Sequence, residues 1–550
     1  MKILDLSKNN ICLLLAITVA LFSLFACASV DSEGTGAIES GGGIDTEGFL
    51  VVIDNEPDTV DFQCTSIYYE IAQTVFNRLV EIDTINGEMT VLPSLAASWE
   101  ISEDRCRYVF HLRPGVKFSN GSALTSSDVL YSLYRLLTHP NSCNRDIAEM
   151  ILGAFDLEKG VSESLEGFEI LSDLDFAITL EQPFEAFLAC LSMPGASIMD
   201  EETTVEAGER FGIEPEWTIG TGSYVWRSWE VGKGLILTAN KDCFEGIPAN
   251  EGIEMLFLTD PGMIRKSFED GRLDIMDLDE VGNSADYYLH GDVYQDRLYQ
   301  IQQIGTTYIA LNQSVVPLDD VRVRKALQMA LNRQALLDVV YSGRGLLENG
   351  IFPHGLYGYG EDLEEIPYDV DGARELLREA GFEDGFDLLV NVKASSTQFE
   401  MNLMTFAVMY WEKIGVRARI EVLDEGEFMR LRKSGKLACY TATWIADYND
   451  PDNFIYTFFG NKENTAFRSL CYPDEEIMNR VVQARKIADP EERIAEYREL
   501  EKIIVQDNAA WIPLFSRKKT YVISSRLKGF RASWNGAFKS KYYAMSVTGT

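Results

Sequence analysis

Histidine, paired cysteine and positive charge are scarce in this chain, and each scarcity closes off a class of chemistry. The four histidines are His111, His139, His290 and His354, and none stands in an HExxH motif. No GxSxG is present either, so zinc-peptidase and serine-hydrolase readings lack their metal or nucleophile apparatus. The absence of any CxxC pair leaves a zinc ribbon or a thioredoxin site unsupported. Lys and Arg number 49 against 86 Asp and Glu, a formal charge of −37, and a field of that sign repels nucleic acid and anionic membranes. The expectation is a protein that is not an enzyme, with no metal, no cofactor and no nucleic-acid partner. One enzyme class stays open, a secreted hydrolase using a carboxylate pair, because 86 acids make such pairs everywhere.

What is present is core-forming material: 550 residues with 46% hydrophobic and 11% aromatic side chains, enough for roughly two to four domains. Lys2 and Lys8 precede the apolar run 11–26, which is shorter than the roughly 20 residues a membrane span needs and so reads as a cleaved export signal. Leu24-Phe-Ala-Cys27 resembles a bacterial lipobox, which implies a lipid on Cys27 and attachment to the extracytoplasmic face of the cell membrane. Residues 28 to about 47 are mostly Gly, Ser and acid, a flexible tether. No later segment has the length and apolarity of a span. Seven cysteines remain beyond Cys12 and Cys27, odd in number and widely spaced, and they read mostly as small buried residues with no assignable pairing.

Along the chain, Phe49 to Asp54 is a β-rich run broken by Asn55-Glu-Pro-Asp-Thr-Val-Asp61. Ile71, Val75, Phe76, Leu79 and Val80 predict a helix over 68–80 with one face in a core. Trp99 and Ile101, then Tyr108, Phe110 and Leu112, alternate as strands. Thr125-x-x-Asp128 is a capping-box variant opening a helix over 129–137. Residues 319–333 predict one helix whose Arg322, Arg324 and Arg333 make structural ion pairs. Helices over 368–381 and 400–414 alternate with strands over 386–392 and 416–422, which gives α/β layers with parallel character. A helix over 490–506 delivers the strand Trp511 to Phe515.

The chain is organised around Thr441-Ala-Thr-Trp-Ile-Ala-Asp-Tyr-Asn-Asp-Pro-Asp-Asn-Phe454, where a strand-like run ends in acids, amides and a proline. Asp447 sits at the strand end with Trp444 as an aromatic wall, a place suited to an ammonium group. The alternative is that Asp447, Asn449 and Asp450 only shape a turn and cap a following helix.

This segment resembles the Trp-x-x-Asp-Tyr-x-x-Pro pattern of solute-binding proteins that serve peptide-importing ABC transporters. The stretch from Leu92-Pro-Ser-Leu-Ala-Ala-Ser-Trp-Glu100 to Leu124-Thr-Ser-Ser-Asp-Val129 resembles the signature of family 5 extracellular solute-binding proteins. The resemblance implies an α/β, two-lobed periplasmic-binding-protein-like fold of enlarged type II, with a hinged cleft between discontinuous lobes. Its implied limits are 48–304, with an extra subdomain over about 68–195, then 305–515, then a return to the first lobe over 516–550. It implies that Asp447 receives a peptide's α-amino group, that Thr443, Trp444 and Ile445 pair with its main chain, and that Tyr448 and Glu56 line the groove. Dipeptide-preferring relatives fix the ligand carboxylate with an arginine in the region that reads Val392-Lys-Ala-Ser-Ser-Thr-Gln398 here, which has none; Lys393 and Arg432 are the candidate substitutes, each otherwise a solvated cation, and longer peptides are favoured. The implied partners are a peptide and an ABC permease and ATPase complex, with the chain a monomer. Dipeptides, nickel complexes and sugars are the other solutes such a fold carries.

Overall fold

Two chain crossings organise the tertiary structure, and both are made in one sheet. The computed structural model describes residues 44–65, 69–85, 88–536 and 541–548; the expected signal, Cys27 and most of the tether lie outside them. The long strand Trp511–Ile523 pairs antiparallel through its first half with Gly305–Leu311 and through its second half with Leu298–Gln302 and Ile275–Asp277. Gln303 and Ile304 link the two partner strands, and the Gln303 N–H donates to the Arg517 carbonyl at 2.8 Å, so the chain passes twice across one narrow bridge.

Apolar side chains condense on either side of this bridge. One core draws on residues between 50 and 76, 199 and 301, and 521 and 545, around a sheet in which Leu50–Ile53 pairs parallel with Gly252–Leu256 and two antiparallel strands follow. A neighbouring core draws on 79–198 around the antiparallel sheet containing Ala96–Ile101 and Arg107–Leu112, where Tyr108, Phe110 and Leu112 are buried alternately as their spacing predicts. Two further cores draw on residues 304–515. There Asp387–Lys393 and Arg417–Leu423 pair in parallel, joined by the helix Gln398–Glu412, the expected βαβ unit.

The helix Ser126–Thr138 opens with the capping box, the Asp128 carboxylate accepting the Thr125 N–H at 2.8 Å. Two other helices differ from expectation. The helix predicted over 68–80 is the shorter Glu70–Val75, because Phe76 turns extended and Val80 begins a strand, Val80–Ile85. Gly222 enforces this ending: its N–H donates to the Val75 carbonyl at 2.8 Å, and a Cβ at 222 would meet the Thr74 carbonyl oxygen at 2.4 Å. Apolar spacing alone did not separate a helix face from a turn followed by a buried strand. The predicted helix over 319–333 is two, Val321–Met329 and Arg333–Tyr341, the second capped by Asn332. Arg322 pairs with Asp320, but Arg324 and Arg333 donate to backbone carbonyls, including those of Leu318, Asn508 and Glu348, so they tie loops and not acids.

All seven described cysteines are free thiols. No helix among the described residues is long and apolar enough to cross a membrane, and no group of three or more His, Cys, Asp and Glu there could hold a metal.

Candidate ligand-binding crevice

Among the described residues the strand Cys439–Ile445 makes ladder hydrogen bonds only with Gly305–Leu311, and Asp387–Lys393 runs close to it without pairing. The Ala446 N–H donates to the Ile304 carbonyl at 2.8 Å and the Asn312 N–H to the Ala438 carbonyl at 3.0 Å. In this antiparallel register the even-numbered residues of 438–446 bond inward, so the main-chain groups of Thr441, Thr443 and Ile445 face the free edge. An extended chain can add there as a further strand. Thr443 also fixes the strand from its side chain, its hydroxyl 3.0 Å from that of Thr307.

Pro451 then starts the helix Asp452–Phe459, which brings Asn453 back against the strand end. The buried Asn453 amide holds the corner: its Oδ1 accepts the Asp447 N–H at 3.0 Å and the Trp444 indole N–H at 3.2 Å, and its Nδ2 donates to Asp447 Oδ2 at 3.1 Å. Among the described residues, Asp447 Oδ1 accepts nothing. Asp447 is exposed by surface area, yet the protein around it desolvates it enough to raise its pKa above the ordinary aspartate value, against the opposing effects of Asn453 and Arg468. That combination describes a carboxylate lining an open crevice.

The opposite wall comes from the first part of the chain. Asp146, exposed by surface area, interacts electrostatically with Asp447, and desolvation by the surrounding protein together with that like charge lifts its pKa to about 6. The Tyr69 phenol, bonded to Asn144 at 3.0 Å, is also within range of Asp447. Contact across the crevice is direct at Arg485, which pairs with Glu149 at 3.0 Å and Asp452 at 3.0 Å and lies over the rings of Tyr456 and Phe184.

The expected site residues divide. Asp447, Trp444, Thr443 and Ile445 share one strand end as expected. Tyr448 packs against the opposite wall: it is buried at 6% exposure, donates to Asp452 at 3.0 Å and joins the cluster containing Cys190 and Leu191. Glu56 is held elsewhere, accepting the Trp229 indole N–H at 2.9 Å and the Gly232 N–H, so it closes a hairpin turn. Lys393 pairs with Glu425 at 3.7 Å. Arg432 lies 5.8 Å from the centroid of the Phe467 ring. Asp450 and Asp452 are engaged inside the protein, by Arg493 and by Tyr448, Tyr497 and Arg485, which leaves Asp447 as the carboxylate of this corner that faces the crevice.

Sequence reasoning missed Asp146, Tyr69, Arg485 and Arg468. Arg468 had one readable sign, the lack of any acid three or four residues away on either side. A separate concavity of about 240 Å³, lined by Glu348, His354, Tyr359 and Glu501, shares none of these residues.

A free strand edge and an inward carboxylate, placed where two α/β lobes meet, define a protein that encloses a solute between its lobes. Residues 90–466 match the model of the bacterial extracellular solute-binding proteins, family 5, and the chain belongs to that family. It is 28% identical over 494 residues to heme-binding protein A of Haemophilus influenzae, covering 88% of each chain. It is 27% identical over 489 residues to the dipeptide-binding protein of Escherichia coli, covering 85% of this chain and 88% of that one. A periplasmic oligopeptide-binding protein from Borrelia burgdorferi superposes with a TM-score of 0.79 at 22% identity, over 91% of this chain and 100% of that one, which establishes the two-lobed type II fold. The family consists of extracytoplasmic binding proteins that work with ABC permeases and ATPases, and not of enzymes.

Proposed function

We propose that this protein captures peptides, longer ones ahead of dipeptides, and passes them intact to an ABC importer. The observation that carries the reading is the free Oδ1 of Asp447 at the end of a strand whose outer edge is unpaired. The peptide ammonium enters against Asp447, its main chain adds to Thr443 and Ile445, and Trp444 walls the first side chain. Affinity then comes from groups that all peptides share, which suits a binder tolerant of sequence. The preference for length rests on the missing arginine in 392–398 and on the engagement of Lys393 by Glu425. Lobes over 48–304 with 516–550, and over 305–515, form the two jaws. Lipid on Cys27 holds the monomer at the cell surface, a reading supported by the Leu24-Phe-Ala-Cys27 sequence.

Calorimetry with Ala-Ala-Ala and its N-acetylated form tests the anchor. Acetylation is expected to weaken binding about 30-fold or more; equal affinity for both forms overturns the reading. Mass spectrometry of co-purifying material should show peptides, and recovery of added peptide uncut after long incubation distinguishes a binder from a hydrolase. Heme serves as the control ligand, because one relative carries heme binding in its name.

A further inference from the structure

Acids outnumber bases by 37 in this chain, so an arginine here does not go unpaired for want of partners. Three buried arginines meet acids, Arg135 with Asp61, Arg493 with Asp450 and Arg485 with both Glu149 and Asp452, while Arg324 and Arg333 are satisfied by backbone carbonyls. Arg468 and Arg432 are different. Arg468 follows the helix Lys462–Phe467, and Arg432 lies in the last turn of the helix Glu425–Lys433. The Nε of each is buried without a hydrogen-bond partner, as are those of Arg485 and Arg493, but among the described residues neither the Arg468 nor the Arg432 guanidinium meets a carboxylate.

Aromatic rings hold the two groups in place. Arg468 Cζ lies 4.6 Å from the Trp444 ring centroid, 5.2 Å from Phe458 and 5.4 Å from Phe467, the ring that Arg432 also covers. The main chain is fixed as well: the Tyr440 hydroxyl donates to the Arg468 carbonyl at 2.7 Å, and Ser469 Oγ donates to the Arg432 carbonyl at 2.8 Å. Burial first, and then the like charge of Arg432, hold the Arg468 pKa below the ordinary arginine value, against attraction from Tyr308, Tyr440 and Asp447. Ring contacts offset part of the cost of two neighbouring cations, but a planar guanidinium with free N–H groups is satisfied best by a bidentate carboxylate.

We propose that Arg468, backed by Arg432, forms a subsite for a carboxylate of the ligand beside the Asp447 ammonium site. The preferred ligand is then zwitterionic over a short span. This inference rests on the peptide reading above. The carboxylate has two sources, the C-terminus of a short peptide or an acidic side chain near the start of a longer one.

Calorimetry on the whole protein separates them with probes that all keep a free N-terminus: Ala-Ala-Ala against its C-terminal amide, and Ala-Glu-Ala amide against Ala-Gln-Ala amide. At least one acid is expected to bind 10-fold or more tightly than its neutral counterpart, and the pair that shows the difference names the source. Arg468→Met, which keeps the stem on Trp444, should erase the difference while acetylation of the N-terminus still weakens binding. Arg468→Lys should restore part of it. Arg432→Met gives the same reading, with a smaller loss, if circular dichroism shows that Arg468→Met does not fold. Equal affinity for acid and neutral probes in both pairs overturns the subsite, as does full discrimination in a folded Arg468→Met. Indifference to N-acetylation overturns the Asp447 anchor instead, so the two failures are distinct.

Discussion

Asp447→Asn separates a binding residue from a structural one, because the two roles predict opposite stability effects. The amide is isosteric and keeps an oxygen for the Asn453 Nδ2 donor, so the corner geometry survives. What disappears is the charge. Losing one partner of an enclosed ion pair costs about 2–5 kcal/mol, and the accessible surface that Asp447 keeps in the crevice favours the lower half of that range. The expected result is a roughly 30- to 400-fold weaker affinity for a peptide with a free amino terminus. Folding stability should respond the other way. The folded-state pKa of Asp447 is raised by burial, so its charge opposes folding at neutral pH, and the neutral variant should melt at the same temperature or higher. The same sign gives a pH signature: wild-type affinity falls as pH drops through the raised Asp447 pKa, and the variant keeps only the part of that fall that comes from Asp146, whose pKa is about 6. Titration calorimetry from pH 4 to 8, beside melting by circular dichroism, reads both quantities. A variant that binds as wild type, or that loses affinity only because it unfolds, refutes the reasoning.

Glu149→Gln leaves Arg485 with Asp452 but weakens the contact across the crevice; partial exposure of Glu149 reduces the expected loss to about 1–2 kcal/mol, seen as weaker peptide binding and a larger radius of gyration in small-angle scattering. An unchanged scattering curve with unchanged affinity counts against that contact as a closure element. Burial lifts the Glu501 pKa to about 8, although its Oε1 accepts the N–H groups of Ile351 and Phe352. Protonated Glu501 is therefore the stable form in the fold, and stability should decline as pH rises from about 4.5 to 8. Glu501→Gln keeps the acceptor and should flatten that decline in a melting series; an identical slope rules the assignment out. Thr125→Ala removes the capping box of Ser126–Thr138 and should cost about 1 kcal/mol in urea unfolding, with no change in peptide affinity.

The local order of the chain is legible where one physical rule dominates. The capping box at Thr125 and Asp128, the alternation at Tyr108, Phe110 and Leu112, and the stop of Val370–Glu379 before Gly381 at φ +86° all follow from the hydrogen bonds and sterics of a few adjacent residues. The strand end before Asp447 was legible for the same reason, through Pro451 and its acidic neighbours, whereas the anchor role of Asp447 was drawn from the family resemblance. Tertiary contacts decided the rest. Val75 ends its helix because Gly222, 147 residues later, takes its carbonyl. Three acids of the 447–452 corner look equivalent in sequence, and only packing turns Asp450 and Asp452 inward to Arg493 and Arg485 while Asp447 meets the crevice. Arg468 and Arg432 acquire meaning in the same way. An unpaired charge is a statement about every neighbour in space, and sequence records only the neighbours along the chain.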